Sequence, residues 1–281
     1  MTYEDLVKNI DEMPPLSKVA MVIQGLYARG AYHVDIKKLV RMIEADVMLT
    51  ANILKTINSP YYNFRNQIIS ISQAVTLLGT QQIYGLVIEY AISEHLKADT
   101  TIYGFNNAQF NEMCILESSL MMQWYSRIDL RDTHLLTSLS LIMESGKIII
   151  SKELMESSYR EIYREGFLAC ENIPEFEQEF LDTTSYYLSG VLFEHWNLNS
   201  LYVLILKNLD KDEDKMDDEV DDIIKQYIKA IDIVRTAINL KEVLTDQSIK
   251  KASQKVKELG LDVEHFETVA KRIRKKYENA A

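Results

Sequence analysis

The stretch from Glu44 to Gly79, EADVMLTANILKTINSPYYNFRNQIISISQAVTLLG, constrains the fold more than any other part of the chain. Leu49, Ile53, Leu54 and Ile57 fall on one stripe of a helix, which halts at Asn58-Ser59-Pro60-Tyr61-Tyr62, where the proline removes a backbone donor. Beyond this corner, Ser70 or Ser72 can cap a second helix whose Val75 and Leu78 face the same core. Gly79 can take the left-handed conformation that ends it. The Asn58 amide can close its helix by bonding local backbone groups, with a tyrosine ring buried across the corner and its hydroxyl at the edge. The chain holds only 9 Gly and 4 Pro in 281 residues, too few for the closely spaced turns of a sandwich or barrel, so an all-α fold is predicted.

Helical spacing recurs along the rest of the chain. Ser17 can cap a helix carrying Val19, Val22, Ile23, Leu26 and Tyr27; Asp35 can cap one carrying Ile36, Leu39, Val40 and Ile43; and Ile83 to Ala91 form a stripe ending near His95. Asp99 to Asn107, DTTIYGFNN, loses the period and marks the expected boundary between an N-terminal helical bundle, residues 1–100, and a second helical lobe, residues 108–281. In the second lobe, Phe110 to Trp124 trace a long helix. Asp132 or Thr133 can cap the next, which Gly146 would close, and Leu259-Gly260-Leu261-Asp262 breaks the chain before the last helix.

Several classes of function are excluded by composition. A net charge of −11 argues against a general nucleic-acid surface, so protein partners or a small ligand are expected. No apolar run approaches the ~20 residues that span a bilayer. The first residues, MTYEDLVKNIDEM, carry acids and no apolar core where an export signal would carry bases, so a cytoplasmic location is expected. Cys114 and Cys170 lack CxxC or metal spacing and read as reduced thiols, while His33, His95, His134, His195 and His265 are scattered without ligand spacing. Asp210, Asp212 and Asp214 imitate the opening of a calcium loop, but Lys215 stands where its turn needs glycine, so a solvated acidic connector is expected. The basic run Lys271, Arg272, Arg274, Lys275 and Lys276 suits the C-terminal end of a helix.

Four segments carry a resemblance. The Asn58-Ser59-Pro60-Tyr61-Tyr62 corner, the following Ala74-Val75-Thr76-Leu77-Leu78-Gly79 and the preceding Met13-Pro14-Pro15-Leu16 resemble the HDOD domain, a bacterial signalling module related to HD phosphohydrolases. Trp196-Asn197-Leu198 resembles a turn of the same family further on. HD phosphohydrolases gather a metal with a His, an adjacent His-Asp pair and a distant Asp, the pair lying in a Leu-Leu-His-Asp-Ile-Gly-Lys context. This chain reads Leu141-Ile142-Met143-Glu144-Ser145-Gly146-Lys147, which places Met143 where the ligand histidine should be. A thioether is a poor partner for Mg²⁺ or Mn²⁺. By the same resemblance the earlier His falls at Glu117, a further one at about Tyr186, and Asp232 is what remains of the last aspartate.

The resemblance therefore implies a degenerate site with no metal or other cofactor and no catalytic residue, and a non-enzymatic regulator that binds signalling proteins in motility, chemotaxis or second-messenger control. Two rivals follow from the same residues. One is a metal-dependent phosphohydrolase with an all-carboxylate site of Glu117, Glu144 and Asp232. The other is a sensor that binds a nucleotide without cleaving it.

Overall fold

A computed structural model of the chain describes residues 2–27, 30, 33–96, 99–155 and 157–280, the side chains of 95 and 280 excepted. The helices in chain order are α1 (Tyr3–Asp11), α2 (Lys18–Leu26), α3 (Ile36–Glu44), α4 (Val47–Ile57), α5 (Ile71–His95), α6 (Asn107–Tyr125), α7 (Leu130–Ile142) and α8 (Ser145–Leu154). They continue as α9 (Arg160–Ala169), α10 (Ile173–Leu181), α11 (Ser185–His195), α12 (Ser200–Asn208), α13 (Asp222–Ala237), α14 (Asp246–Glu258) and α15 (Val263–Ala280). Among the described residues the fold is all-α, its β pairing being a single isolated bridge between Ile238 and Val243.

The chain packs as two compact units that interleave along the sequence. One comprises Met1–Pro15, His95–Glu112 and Met143–Asp232, and the other Leu16–Glu94, Met113–Ile142 and Ile233–Ala281. Asp99 to Asn107 lies inside the first of these. There Asp99 accepts the Thr101 N–H at 3.0 Å, and the turn ends at Gly104 in the left-handed region.

In the second unit the caps sit where polar residues precede apolar stripes. Ser17, Asp35 and Asp46 accept backbone N–H groups of α2, α3 and α4, satisfying donors that the first turn of a helix leaves open. Ser70, rather than Ser72, caps α5 through the Gln73 N–H. Two stripes are shifted from expectation: Leu54 is half-buried while Thr56 is buried, and on α2 Ala20 and Ile23 face the core while Val22 is exposed. Before α7 the cap is Asp129, which accepts the N–H groups of Arg131 at 2.7 Å and Asp132 at 3.0 Å, so the helix starts earlier than Asp132 or Thr133 would place it.

The corner after α4 is built from its own polar groups. Asn58 donates through Nδ2 to the carbonyls of Leu54 and Ile68, both at 2.8 Å, and its Oδ1 accepts the Ile68 N–H at 2.8 Å. One side chain thus closes α4 and fastens the returning strand of chain. Pro60 opens a 3-10 turn, Pro60–Tyr62, capped by Ser59 and released by Asn63 at φ 64°. Tyr61 and Tyr62 are buried, as expected, but the Tyr62 hydroxyl lies inside rather than at the edge: it meets Ser118 Oγ at 3.2 Å, and burial pushes its pKa up to about 12. From α6, Ser119 Oγ and Gln123 Nε2 donate to the Tyr61 carbonyl at 2.7 and 2.8 Å. From α15, Lys276 bonds Pro60 and Asn63 and Arg272 bonds Gln123, so two cations of the basic run fasten this corner. Leu78 is buried, and Gly79 at φ 76°, ψ 164° steps out of the helix so that a new one starts at once, with the His134 ring 3.5 Å from where a Cβ would stand. Replacing Asn58 by Ala leaves the Ile68 N–H and carbonyl to find other partners and the Leu54 carbonyl with its backbone bond alone, and we expect a loss of about 1–3 kcal/mol, read as a lower urea midpoint. An unchanged midpoint would show that the corner holds without it.

In the first unit, Trp196 Nε1 donates to the Pro14 carbonyl at 3.1 Å, tying the Trp-Asn-Leu turn to the segment before α2, and Asn197 adopts φ 51°. The acidic connector after α12 is closed by lysines: Lys215 pairs with Asp212, Lys211 with Asp217 and Lys229 with Glu213, each at 2.7 Å. Neither Cys114 nor Cys170 is in a disulfide.

Candidate functional site

Met143 and Glu144 form the turn between α7 and α8, and from there on everything follows from the close approach of α8 to α11 in the first unit. Gly146 is not the end of a helix. It lies in the first turn of α8, and a methyl group there would run into the Ser185 carbonyl and stand 2.8 Å from its carbon and 3.0 Å from the Ser189 nitrogen. The Ser189 hydroxyl uses this proximity, accepting the Gly146 N–H at 2.7 Å and donating to the Met143 carbonyl at 2.7 Å. Glycine is therefore fixed by helix–helix packing.

Lys147 and Glu144, three residues apart, are buried together. The ammonium stands 2.6 Å from Glu144 Oε2 with both side chains only 2 % exposed, and the Tyr186 hydroxyl donates to Glu144 Oε1 at 2.7 Å. Lys147 Nζ also lies 4.2 Å from the centre of the Tyr186 ring, close enough for a cation–π contribution. Behind it, the Tyr103 hydroxyl donates to the Lys147 carbonyl at 2.7 Å, and Tyr103 packs edge-on to Tyr163 and Phe167.

A second carboxylate, Glu177 of α10, is fully buried and accepts the Ser185 N–H at 2.6 Å. Burial raises its pKa to about 7 against the opposing pull of Lys147 and of its bonds to Ser185. Tyr103 and Tyr163 are held well above the ordinary tyrosine range, first by burial, then by Glu177 for Tyr103 and by Tyr103 ahead of Glu177 for Tyr163. The sign of the pH effect follows. Between the usual value of 4.5 and about 7 the folded state retains a proton on Glu177 that the unfolded chain releases, so this contribution to stability is present at low pH and lost as pH rises through about 7. Urea midpoints of Glu177→Gln should fall less than those of the natural chain between about pH 5 and pH 8. The difference between the two proteins separates Glu177 from Glu89, which burial also raises to about 7, and from His134, which burial lowers and which acts in the opposite sense. Parallel pH curves would exclude a titrating Glu177.

The residues implied for a metal centre are placed as follows. Met143 is fully buried as a thioether, and Glu144 is engaged by Lys147 and Tyr186. Asp232 lies on α13 and is half-buried, while Glu117 is fully buried on α6 in the other unit. Among the described residues no three His, Cys, Asp or Glu side chains come together in a way that could hold a metal ion. The side chain of His95 lies outside the described residues. A divalent cation does not fit Glu144 as it stands, because an ammonium already lies in contact with the carboxylate and would repel it. Sequence reasoning missed Lys147 and Glu177. The first had a readable signal in its i,i+3 spacing from Glu144; the second had none, since its burial is set by tertiary packing.

The HDOD domain family matches residues 13–210, and the chain belongs to that family. No curated protein matches it significantly. Among solved structures, a "putative phosphohydrolase" from Shewanella amazonensis is 16% identical with a TM-score of 0.70, over 96% of this chain and 93% of that one. A "putative signal transduction protein" from Marinobacter aquaeolei is 18% identical with a TM-score of 0.69, over 98% of this chain and 59% of that one. A virulence factor from Campylobacter jejuni is 22% identical with a TM-score of 0.58, over 97% and 99%. At these identities the likeness is one of fold. No helix among the described residues is long and apolar enough to cross a membrane.

Proposed function

We propose that this HDOD chain is a non-catalytic signalling protein that acts by binding other proteins, in a process such as motility, chemotaxis or second-messenger control. One observation carries the reading: the Lys147 ammonium, 2.6 Å from the Glu144 carboxylate and buried with it, supplies internally the positive charge that a metal would bring. With Met143 beside it, the turn offers neither an imidazole nitrogen nor an open carboxylate edge, so no water would be activated there. What the cluster does instead is fix α8 against α11, giving the unit a rigid centre on which an interaction surface can be presented. The resemblance to a structure described as a signal transduction protein agrees with this reading.

Affinity purification of the tagged chain from its native cell tests the partner. The expected result is a specific, stoichiometric signalling protein whose pathway fails in a deletion strain. Recovery of no specific partner, together with unaltered signalling in the deletion strain, would overturn the reading.

A further inference from the structure

Within the first unit, a pocket of about 300 Å³ opens between the start of α1, the turn from α10 to α11, the first turn of α11 and the end of α12. Its wall carries two tyrosine rings, two ammonium groups and two carboxylates: Tyr3, Tyr187, Lys207, Lys211, Asp182 and Asp210. The rings stand edge to face with centroids 6.0 Å apart, and Lys207 Nζ is 5.9 Å from the centre of the Tyr187 ring. Lys207 contacts Glu194 at 2.6 Å and Lys211 contacts Asp217 at 2.7 Å, their side chains 19% and 30% exposed. An ammonium has three donors, so one carboxylate contact does not exhaust it. Two of the first amides of α11 are taken, Ser185 by Glu177 and Tyr187 by the Thr184 hydroxyl, and the two lysines are the cationic groups of the wall that can read an anion.

The sign of the wall decides the ligand. A simple anion entering the pocket meets Asp182 and Asp210, and a simple cation meets Lys207 and Lys211, so each carries a repulsive contact along with its attractive one. A molecule bearing both charges a few atoms apart meets none, and the tyrosine rings offer apolar surface to the rest of it. The volume lies at the small end of ligand pockets, which suits a free amino acid better than a nucleotide. The geometry points to a site for a small zwitterion of the α-amino-acid type. Its carboxylate faces Lys207 and Lys211, its ammonium faces Asp182 and Asp210, and its side chain lies against Tyr3 and Tyr187.

The test is a thermal-shift and calorimetric screen of the full chain with the common L-amino acids at about 10 mM, each hit compared with its amine and its carboxylic acid, the two analogues that lack one charge. For phenylalanine these are phenethylamine and 3-phenylpropionate; for leucine, isoamylamine and 4-methylpentanoate. The expected result is saturable binding of at least one amino acid, with both singly charged analogues at least about tenfold weaker. Asp210→Asn and Lys211→Gln should each weaken that binding about tenfold or more. The comparison among ligands on the natural chain stands even if a variant misfolds. Absence of saturable binding, or equal binding of the carboxylic acid or of the amine alone, would overturn the assignment.

Discussion

Lys147→Met should cost about 3–5 kcal/mol, because it leaves the Glu144 carboxylate buried without the ammonium that stands 2.6 Å from it. The Tyr186 hydroxyl still donates to one carboxylate oxygen, so part of the charge is solvated by the protein, but a single neutral donor does not replace a counter-ion. The double variant Glu144→Gln with Lys147→Met removes both charges at once while its Gln can still accept from Tyr186. It should recover much of the loss, since a buried pair replaced by uncharged groups of similar size is often close to neutral. Urea denaturation of the natural chain, of Lys147→Met and Glu144→Gln singly, and of the double variant at one pH measures this cycle. Equal, additive losses from the two single variants, with no recovery in the double, would show that the pair is not coupled as its geometry implies.

Gly146→Ala should be comparably severe for a different reason. The added methyl meets backbone on α11, the Ser185 carbonyl and the Ser189 nitrogen, and cannot be accommodated by rotating a side chain. Separating α8 from α11 would also stretch the Ser189 bonds to Gly146 and Met143 and draw Tyr186 away from Glu144. Overpacking alone costs about 1–3 kcal/mol, and the loosened polar cluster adds to it, so a loss of about 3 kcal/mol or more is expected in the urea midpoint. A change smaller than about 1 kcal/mol would mean that the two helices are not held as closely as the glycine requires.

Much of the helical scaffold was legible in the chain because its signals are local. Asp35, Asp46 and Ser17 cap helices from positions defined by the residues that follow them, and Asn58 with Pro60 marks a corner where the bonds of the Asn58 side chain span at most ten residues. The errors arise where a residue answers to a distant partner. Gly146 read as a helix end because glycine so often serves there, whereas its reason is the backbone of α11. The Tyr62 hydroxyl was placed at an edge because nothing near it in sequence announces Ser118. At the candidate site, Met143 in the place of the imidazole that the resemblance implies was readable at once. What fills the gap was not, because pairing Lys147 with Glu144 follows from their spacing but burying both depends on α11 and on Tyr103.

The central claim is that an internal ammonium has taken the place of a metal and that the chain acts without catalysis. Calorimetric titration of the purified chain with Mn²⁺ and Mg²⁺, followed by a phosphodiester turnover assay in the same buffers, tests it most directly. The account predicts a flat titration and no turnover. Stoichiometric binding of either ion that is lost in Glu144→Ala, accompanied by hydrolysis of the phosphodiester, would contradict it and restore the all-carboxylate phosphohydrolase.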